Sequence, residues 1–271
     1  MSLTREDYLQ ELIVPAFTIG KGGDSLYSKK IQEWINLHKY HTQGFNLSIG
    51  IDGDYGRITE SAVQDFQEAK GLDVTGSVDA LTWMQLVAPM QKAFSKINCS
   101  YEFHIKEVAL AYAKQFVDQH PTEIGNNTGP WVRAFMKGKE GDWAAWCCGS
   151  ICTAIDHGAN SLEKSMNNWF EWDWSCEKLR KKAVKGENTT YVSEKEVKEK
   201  YSEIEPGDLF LVMSRGRARH IGIVEKMKGD IMCTIEGNTN DEGSREGYEF
   251  VRRKRKTNKG IYSIIKLHRN G

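Results

Sequence analysis

The chain has no surplus of charge of either sign: Lys+Arg and Asp+Glu both total 37 among 271 residues. A formal net charge of zero supplies no long-range attraction to nucleic acid or to an acidic surface, so neither is expected as a partner. Long apolar runs are missing too. Near the start, Leu12-Ile13-Val14 stops at Pro15, too short for a secretory core. No stretch approaches the ~18 apolar residues that cross a bilayer. The expectation is a soluble chain made in the cytoplasm without a signal peptide and without membrane insertion. Work outside the cell would need a separate route of release. Cysteine is scarce and irregularly placed. Cys99, Cys147, Cys148, Cys152, Cys176 and Cys233 do not make a disulfide scaffold. They also contain no paired C-x-x-C, and Cys148 with Cys152 has no neighbouring His pair, so no metal and no cofactor are expected.

What is present is an ordinary globular composition, 39% hydrophobic and 27% charged, in a chain long enough for two domains. Before residues 90–100 three segments carry helical periodicity. Residues 26–40 place Ile31, Trp34, Ile35 and His38 on one face, 58–70 place Ala62, Val63 and Phe66, and 79–87 place Leu81, Trp83, Leu86 and Val87. Thr59 and Asp79 read as capping or first-turn residues. Between the helices, Gly50-Ile51-Asp52-Gly53-Asp54-Tyr55-Gly56 and Leu72-Asp73-Val74-Thr75-Gly76-Ser77-Val78 read as two similar tight turns.

Those turns, with Thr59, Ala62-Val63, Phe66-Gln67, Gly71-Leu72, Thr82-Trp83 and Leu86, resemble the three-helix peptidoglycan-binding module of cell-wall enzymes over about residues 17–90. Thr75 stands where that family often has Asp, and the stretch His41 to Leu47 is longer than usual. The resemblance implies a helical wall-binding domain, placed at residues 1–95, with peptidoglycan as partner. Trp34, Phe66 and Trp83 read as its core. Asp54, Tyr55 and Arg57, in the turns, are its candidate exposed binding residues.

Beyond residue 100 the pattern changes. Residues 103–118 carry Ile105, Val108, Ala109, Ala111, Tyr112 and Phe116 on a broad apolar helical face, and Pro130 suits a first helical position. Residues 161–200 read as a mostly helical insertion. From Pro206 the period becomes two, with strands expected at 208–212, 220–224, 231–235 and 260–265. Helices first and strands afterwards predict an α+β domain with an antiparallel sheet.

Within it, a cysteine opens an expected helix at Trp146-Cys147-Cys148-Gly149, and a histidine enters an expected strand at His220-Ile221-Gly222-Ile223-Val224. Ile235-Glu236-Gly237-Asn238 follows at a hairpin's distance. A thiol with a pKa near 8.5 is mostly protonated at neutral pH, and a helix N-terminus beside an imidazole favours its thiolate. Alternation along the strand puts Glu236 and Asn238 on one face, where either can hold the far imidazole nitrogen.

With Glu123-Ile124-Gly125, Asn127-Thr128-Gly129-Pro130 and Pro206-Gly207-Asp208, these segments resemble the cysteine- and histidine-dependent amidohydrolase/peptidase (CHAP) family over most of residues 101–271. That resemblance implies a papain-like α+β domain. It also implies a nucleophilic cysteine, His220 as base, and Glu236 with Asn238 as orienting and polarising groups. The Trp-Cys step points to Cys147, with Trp146 as a neighbouring substrate-binding candidate. Against it, Ser150 stands where the family pattern usually continues with an aromatic, and Cys148 as nucleophile would put Ile151 at that spacing instead. The cysteine that is not the nucleophile, and likewise Cys99, Cys152, Cys176 and Cys233, read as structural thiols.

Two further segments stay open. Trp169-Phe170-Glu171-Trp172-Asp173-Trp174 either lines a cleft or packs the insertion, and Arg252-Arg253-Lys254-Arg255-Lys256 is either a solvated strand end or an attractor of anionic wall polymers. Together the resemblances lead to the expectation of a monomeric peptidoglycan hydrolase, an endolysin-like amidase or endopeptidase acting at the cell wall after release. An inert wall-binding protein and a thiol amidohydrolase acting on a non-wall peptide are the alternatives.

Overall fold

The computed structural model describes residues 10–271 apart from 101, 200, 240–246 and 270. Helix α1 (Ser25–Leu37) starts where Asp24 accepts hydrogen bonds from the backbone N–H of Leu26 and Tyr27 at 2.9 and 3.2 Å, which satisfies donors that a helix start leaves open. Its buried face carries Ile31, Trp34 and Ile35. Helix α2 (Arg57–Lys70) buries Ala62, Val63 and Phe66 and ends at Gly71 with φ +64°, a left-handed conformation in which glycine carries no Cβ penalty. Asp79 caps α3 (Ala80–Leu86) by accepting the Thr82 N–H at 2.7 Å. Of the two roles read for Thr59, cap and first-turn residue, the structure has the second, and Gly56 stands at the cap position. Thr59 lies inside the first turn, buried, and its hydroxyl accepts from Gln32 at 3.0 Å.

That bond belongs to a device used twice. Gln32 donates to Asp52 Oδ1 at 2.7 Å and to the Asp54 carbonyl at 3.0 Å, and accepts the Gly53 N–H at 2.9 Å. Gln67 accepts the N–H groups of Thr75 and Gly76 at 3.0 and 2.9 Å and donates to the Ser77 carbonyl at 2.8 Å. Each turn that the sequence shows as a near-repeat is thus held by one buried glutamine from the helix before it, because buried backbone polar groups need partners.

Helix α4 (Ala88–Ala93) leads to α5 (Ile105–Val117), α6 (Pro130–Phe135), which starts at its proline, α7 (Cys147–Ser161) and α8 (Cys176–Lys185). The region expected to be a mostly helical insertion also holds strand β1 (Thr189–Val192), followed by the short helix α9 (Glu194–Glu199). The remaining strands are β2 (Leu209–Ser214), β3 (Arg217–Lys228), β4 (Ile231–Thr239), β5 (Glu249–Lys256) and β6 (Tyr262–Leu267). All six form one antiparallel sheet in the order β1-β6-β2-β3-β4-β5. The protein is therefore α+β, with helices ahead of the sheet. β1 and β5, absent from the sequence expectation, are its two edges, and edge strands carry few buried apolar residues to announce them.

α7 packs on α5 and against β3 and β4, while α8 packs against β1 and β3. One buried apolar cluster runs from Ile19 in the helical part to Leu267 in the last strand. Trp34 of α1 meets Trp131 of α6 edge-on at 6.1 Å between ring centroids. Beside it Arg133 binds Glu11 at 2.8 Å, Glu33 at 2.6 Å and Glu140 at 2.8 Å, so a largely buried guanidinium has a carboxylate on each side. Among the described residues no helix is long and apolar enough to cross a membrane.

Candidate functional site

Two helix starts converge on two sulfurs. Cys147 is the first residue of α7 and Cys176 the first of α8, and their Sγ atoms lie 3.6 Å apart. Cys176 was expected to be a structural thiol; instead it touches the candidate nucleophile. The α8 start is capped by Ser175, which accepts the Lys178 N–H at 3.4 Å, whereas no side chain caps α7. The first N–H groups of α7 therefore remain available to an anion.

His220 stands on β3, buried, with Nε2 2.8 Å from Glu236 Oε2 on the neighbouring strand β4. The close approach depends on Gly222, where a Cβ would lie 2.8 Å from Glu236 Cγ and 2.5 Å from the Phe210 ring. Gly237 does the same between β4 and the start of α7, since its Cβ would meet Ser150 Oγ at 2.4 Å and the Trp146 ring at 2.9 Å. Any larger residue at either position would push the layers that carry Cys147, His220 and Glu236 apart.

Glu236 has no exposed surface and is held from three sides. Arg255 Nε donates to Oε1 at 2.6 Å, the other arm of its guanidinium donates to Oε2, and the Thr234 hydroxyl donates to Oε1 at 2.5 Å. Burial pushes its carboxyl up, but the bonds from Arg255 and His220 outweigh that and hold it at about 2. Burial likewise opposes charge on His220, yet the neighbouring Cys147 and Glu236 lift it to about 9. At neutral pH the imidazole is thus a cation on an ionised carboxylate, with Nδ1 buried and unbonded in the protein.

Cys147 and Cys176 titrate together. The sulfur that keeps its proton donates a hydrogen bond to the one that is charged, which draws the Cys176 pKa down to about 5. The hydrogen bond that Cys147 donates to Cys176, with burial and like charge, holds Cys147 well above the thiol range, against the pull of His220. One negative charge is therefore shared by two sulfurs beside an imidazolium.

The structure brings Cys147, His220 and Glu236 together. Cys148 is fully buried, and burial, followed by the neighbouring Cys152 and Cys176, pushes its thiol well above the ordinary range. Asn238 does not join His220 as strand alternation predicted. The β4–β5 register shifts between Glu236 and Thr239, and Asn238 takes a left-handed φ of +52°. Its amide donates instead to Asn127 Oδ1 at 3.1 Å and to the Gly247 carbonyl at 2.8 Å. That pins the 127–130 loop to the strand. Trp146 is not a surface for substrate either. It is 0% exposed, stacks on Phe135 with ring centroids 5.6 Å apart, and donates from Nε1 to Glu123 at 3.1 Å.

Of the helical candidates, Asp54 and Arg57 are exposed. Tyr55 is corrected: it is 1% exposed and its hydroxyl donates to the Gly76 carbonyl at 2.8 Å, joining the two glutamine-held turns. The aromatic run divides. Trp169 and Phe170 are core, whereas Trp174 is 43% exposed and lies edge-on to the exposed Trp143 at 6.2 Å. The basic run divides as well. Arg252 pairs with Asp118 and Glu225, while Arg255 turns inward to Glu236 and is no solvated strand end.

Sequence reasoning missed Arg255, Thr234 and Cys176. Arg255 was accessible to it, because Val251, Arg253 and Arg255 alternate with more exposed residues once β5 is read as a strand. Nothing local marks Cys176, which reaches the site only through the packing of α8.

Residues 29–86 match the family model described as "Putative peptidoglycan binding domain". The match begins within α1 and ends with α3, so it includes both glutamine-held turns. It supports peptidoglycan as a partner of the chain and association with the cell wall. Comparison of the chain with curated proteins and with solved structures returns no match.

Proposed function

We propose that the protein is a peptidoglycan hydrolase in which residues 1–95 hold the wall and residues 101–271 form a CHAP-like cysteine peptidase or amidase. The observation that carries this reading is the placement of Cys147 at an uncapped helix start beside a histidine fixed by a buried, ionised Glu236. Attachment through the helical domain raises the local concentration of the enzyme at an insoluble substrate.

In the proposed reaction Cys147 passes its proton to the Cys176 thiolate, 3.6 Å away, and as thiolate attacks the carbonyl carbon of an amide in the wall peptide. The N–H groups at the start of α7 receive the oxyanion. Protonated His220 gives its Nδ1 proton to the leaving amine as the C–N bond breaks, and the thioester remains. Neutral His220 then takes a proton from water, hydroxide adds to the thioester, and the carboxylate product leaves as Cys147 thiolate reforms. Glu236 keeps the imidazole oriented and its charge compensated, and Arg255 does the same for Glu236.

Purified sacculi incubated with the wild type, Cys147→Ser and Cys148→Ser provide the test. Loss of lysis in Cys147→Ser alone is the expected result. Lysis by Cys147→Ser as fast as by the wild type would sink the assignment of the nucleophile, and no lysis by any form would favour a wall-binding protein without activity. Mass spectrometry of the released fragments separates amidase from endopeptidase cleavage.

A further inference from the structure

The contact between Cys147 and Cys176 does more than perturb the nucleophile. Their sulfurs are 3.6 Å apart, and closing to a disulfide requires an approach of about 1.5 Å, within reach of one rotamer adjustment at a helix start. Both residues are 6% exposed, whereas Cys148 and Cys152 are fully buried. A reagent small enough to reach the site therefore meets Cys147 and Cys176 before the other two. Their shared acidity supplies a thiolate at neutral pH, the form that reacts with oxidants.

We propose that Cys147 and Cys176 form an oxidisable dithiol that reacts with small hydroperoxides and closes to a disulfide, blocking the nucleophile reversibly. Cys147 passes its proton to the Cys176 thiolate beside it and, as thiolate, attacks the terminal oxygen of the hydroperoxide. An S–O bond forms, the O–O bond breaks, and the departing alkoxide takes the proton of the His220 imidazolium to leave as alcohol, or as water when the oxidant is hydrogen peroxide. The Cys176 thiol then attacks the sulfur of the resulting sulfenic acid. The S–S bond forms, and hydroxide leaves with the thiol proton as water. Two thiols lose two electrons, which reduce one peroxide bond. A dithiol reductant reverses the step by thiol–disulfide exchange.

The effect on lysis rests on the hydrolase reading; the cross-link does not. The test is therefore peptide mapping of the full-length wild type after hydrogen peroxide treatment and alkylation of the remaining thiols, alongside sacculus lysis. The expected product lacks two hydrogens, joins the Cys147 and Cys176 peptides, and leaves Cys148 alkylated when the chain is fragmented between positions 147 and 148. Lytic rate falls in proportion to the cross-linked fraction and returns fully with dithiothreitol. In Cys176→Ser the same treatment gives a loss that dithiothreitol does not restore, because Cys147 proceeds to sulfinic acid. Free Cys176 beside an oxidised Cys147, or a disulfide made by Cys148, overturns the proposal in the wild type without recourse to any variant. A protein that forms the Cys147–Cys176 link yet never lyses sacculi keeps the dithiol and sinks the hydrolase. One that lyses sacculi but forms no link does the reverse.

Discussion

Nε2 of His220 lies 2.8 Å from Oε2 of Glu236, and Nδ1 of the same ring is buried without a hydrogen bond in the protein. The carboxylate thus selects which nitrogen is left for chemistry. In Glu236→Gln the ring loses both its orientation and the charge that raises its pKa. The hydrolytic rate is expected to fall by about 10²- to 10⁴-fold, with the alkaline limb of the pH profile moving to lower pH. Rates of sacculus lysis by both forms across neutral to alkaline pH check this, and an unmoved limb would count against the assigned role.

The same pair makes stability depend on pH. The folded pKa of His220, about 9, lies above the ordinary imidazole value of 6.5, so its contribution is fully present below pH 6.5 and is lost as pH rises through about 9. The shift corresponds to about 3 kcal/mol. Glu236 is depressed from 4.5 to about 2, so its contribution is present above pH 4.5 and disappears as pH falls through about 2. Denaturant titrations of the wild type and His220→Gln should differ in alkaline slope, with the variant flatter.

Arg255 neutralises a carboxylate that has no exposed surface. Arg255→Met leaves that charge with only His220 and Thr234, and the fold should lose about 3–5 kcal/mol, visible by calorimetry as a fall in Tm. Arg255→Lys restores the charge but not the two-armed geometry, and should lie between.

Gln67 holds the second turn of the wall-binding domain through two backbone N–H groups. Gln67→Ala should cost about 2 kcal/mol or more and weaken pull-down of the full chain by sacculi. Tyr55→Phe, which removes one bond to Gly76, should cost about 1 kcal/mol and leave that pull-down unchanged, because its ring is not presented to the wall.

Trp146→Phe tests the corrected role of a residue that sequence alone placed against substrate. Loss of the Glu123 bond should lower stability by about 1–3 kcal/mol with KM unchanged. A raised KM at unchanged Tm would return Trp146 to the substrate surface.

Much of the scaffold was written in local pattern. Helical periodicity around Trp34, Phe66 and Trp83, the acidic cap at Asp79, and Pro130 at a helix start are properties of a few adjacent residues, and the structure has each in place. Four of the six strands stood out by their period of two. β5 did not, because every residue of Arg252-Arg253-Lys254-Arg255-Lys256 is charged, on both faces, and Arg255 is drawn inward by Glu236.

The sequence by itself determined the order of helices before strands and the Gly/Asp turns, and it marked the thiol, imidazole and carboxylate that the fold brings close, since these follow from side-chain chemistry and short-range backbone preference. The tertiary structure decided the partners. A register shift after Glu236 removed Asn238 from the histidine, a glycine at 222 let Glu236 approach it, and the packing of α8 brought Cys176 against Cys147. None of these has a local signature, because each depends on the close packing of segments far apart in the chain, where a shift of one residue or one Cβ changes which groups meet.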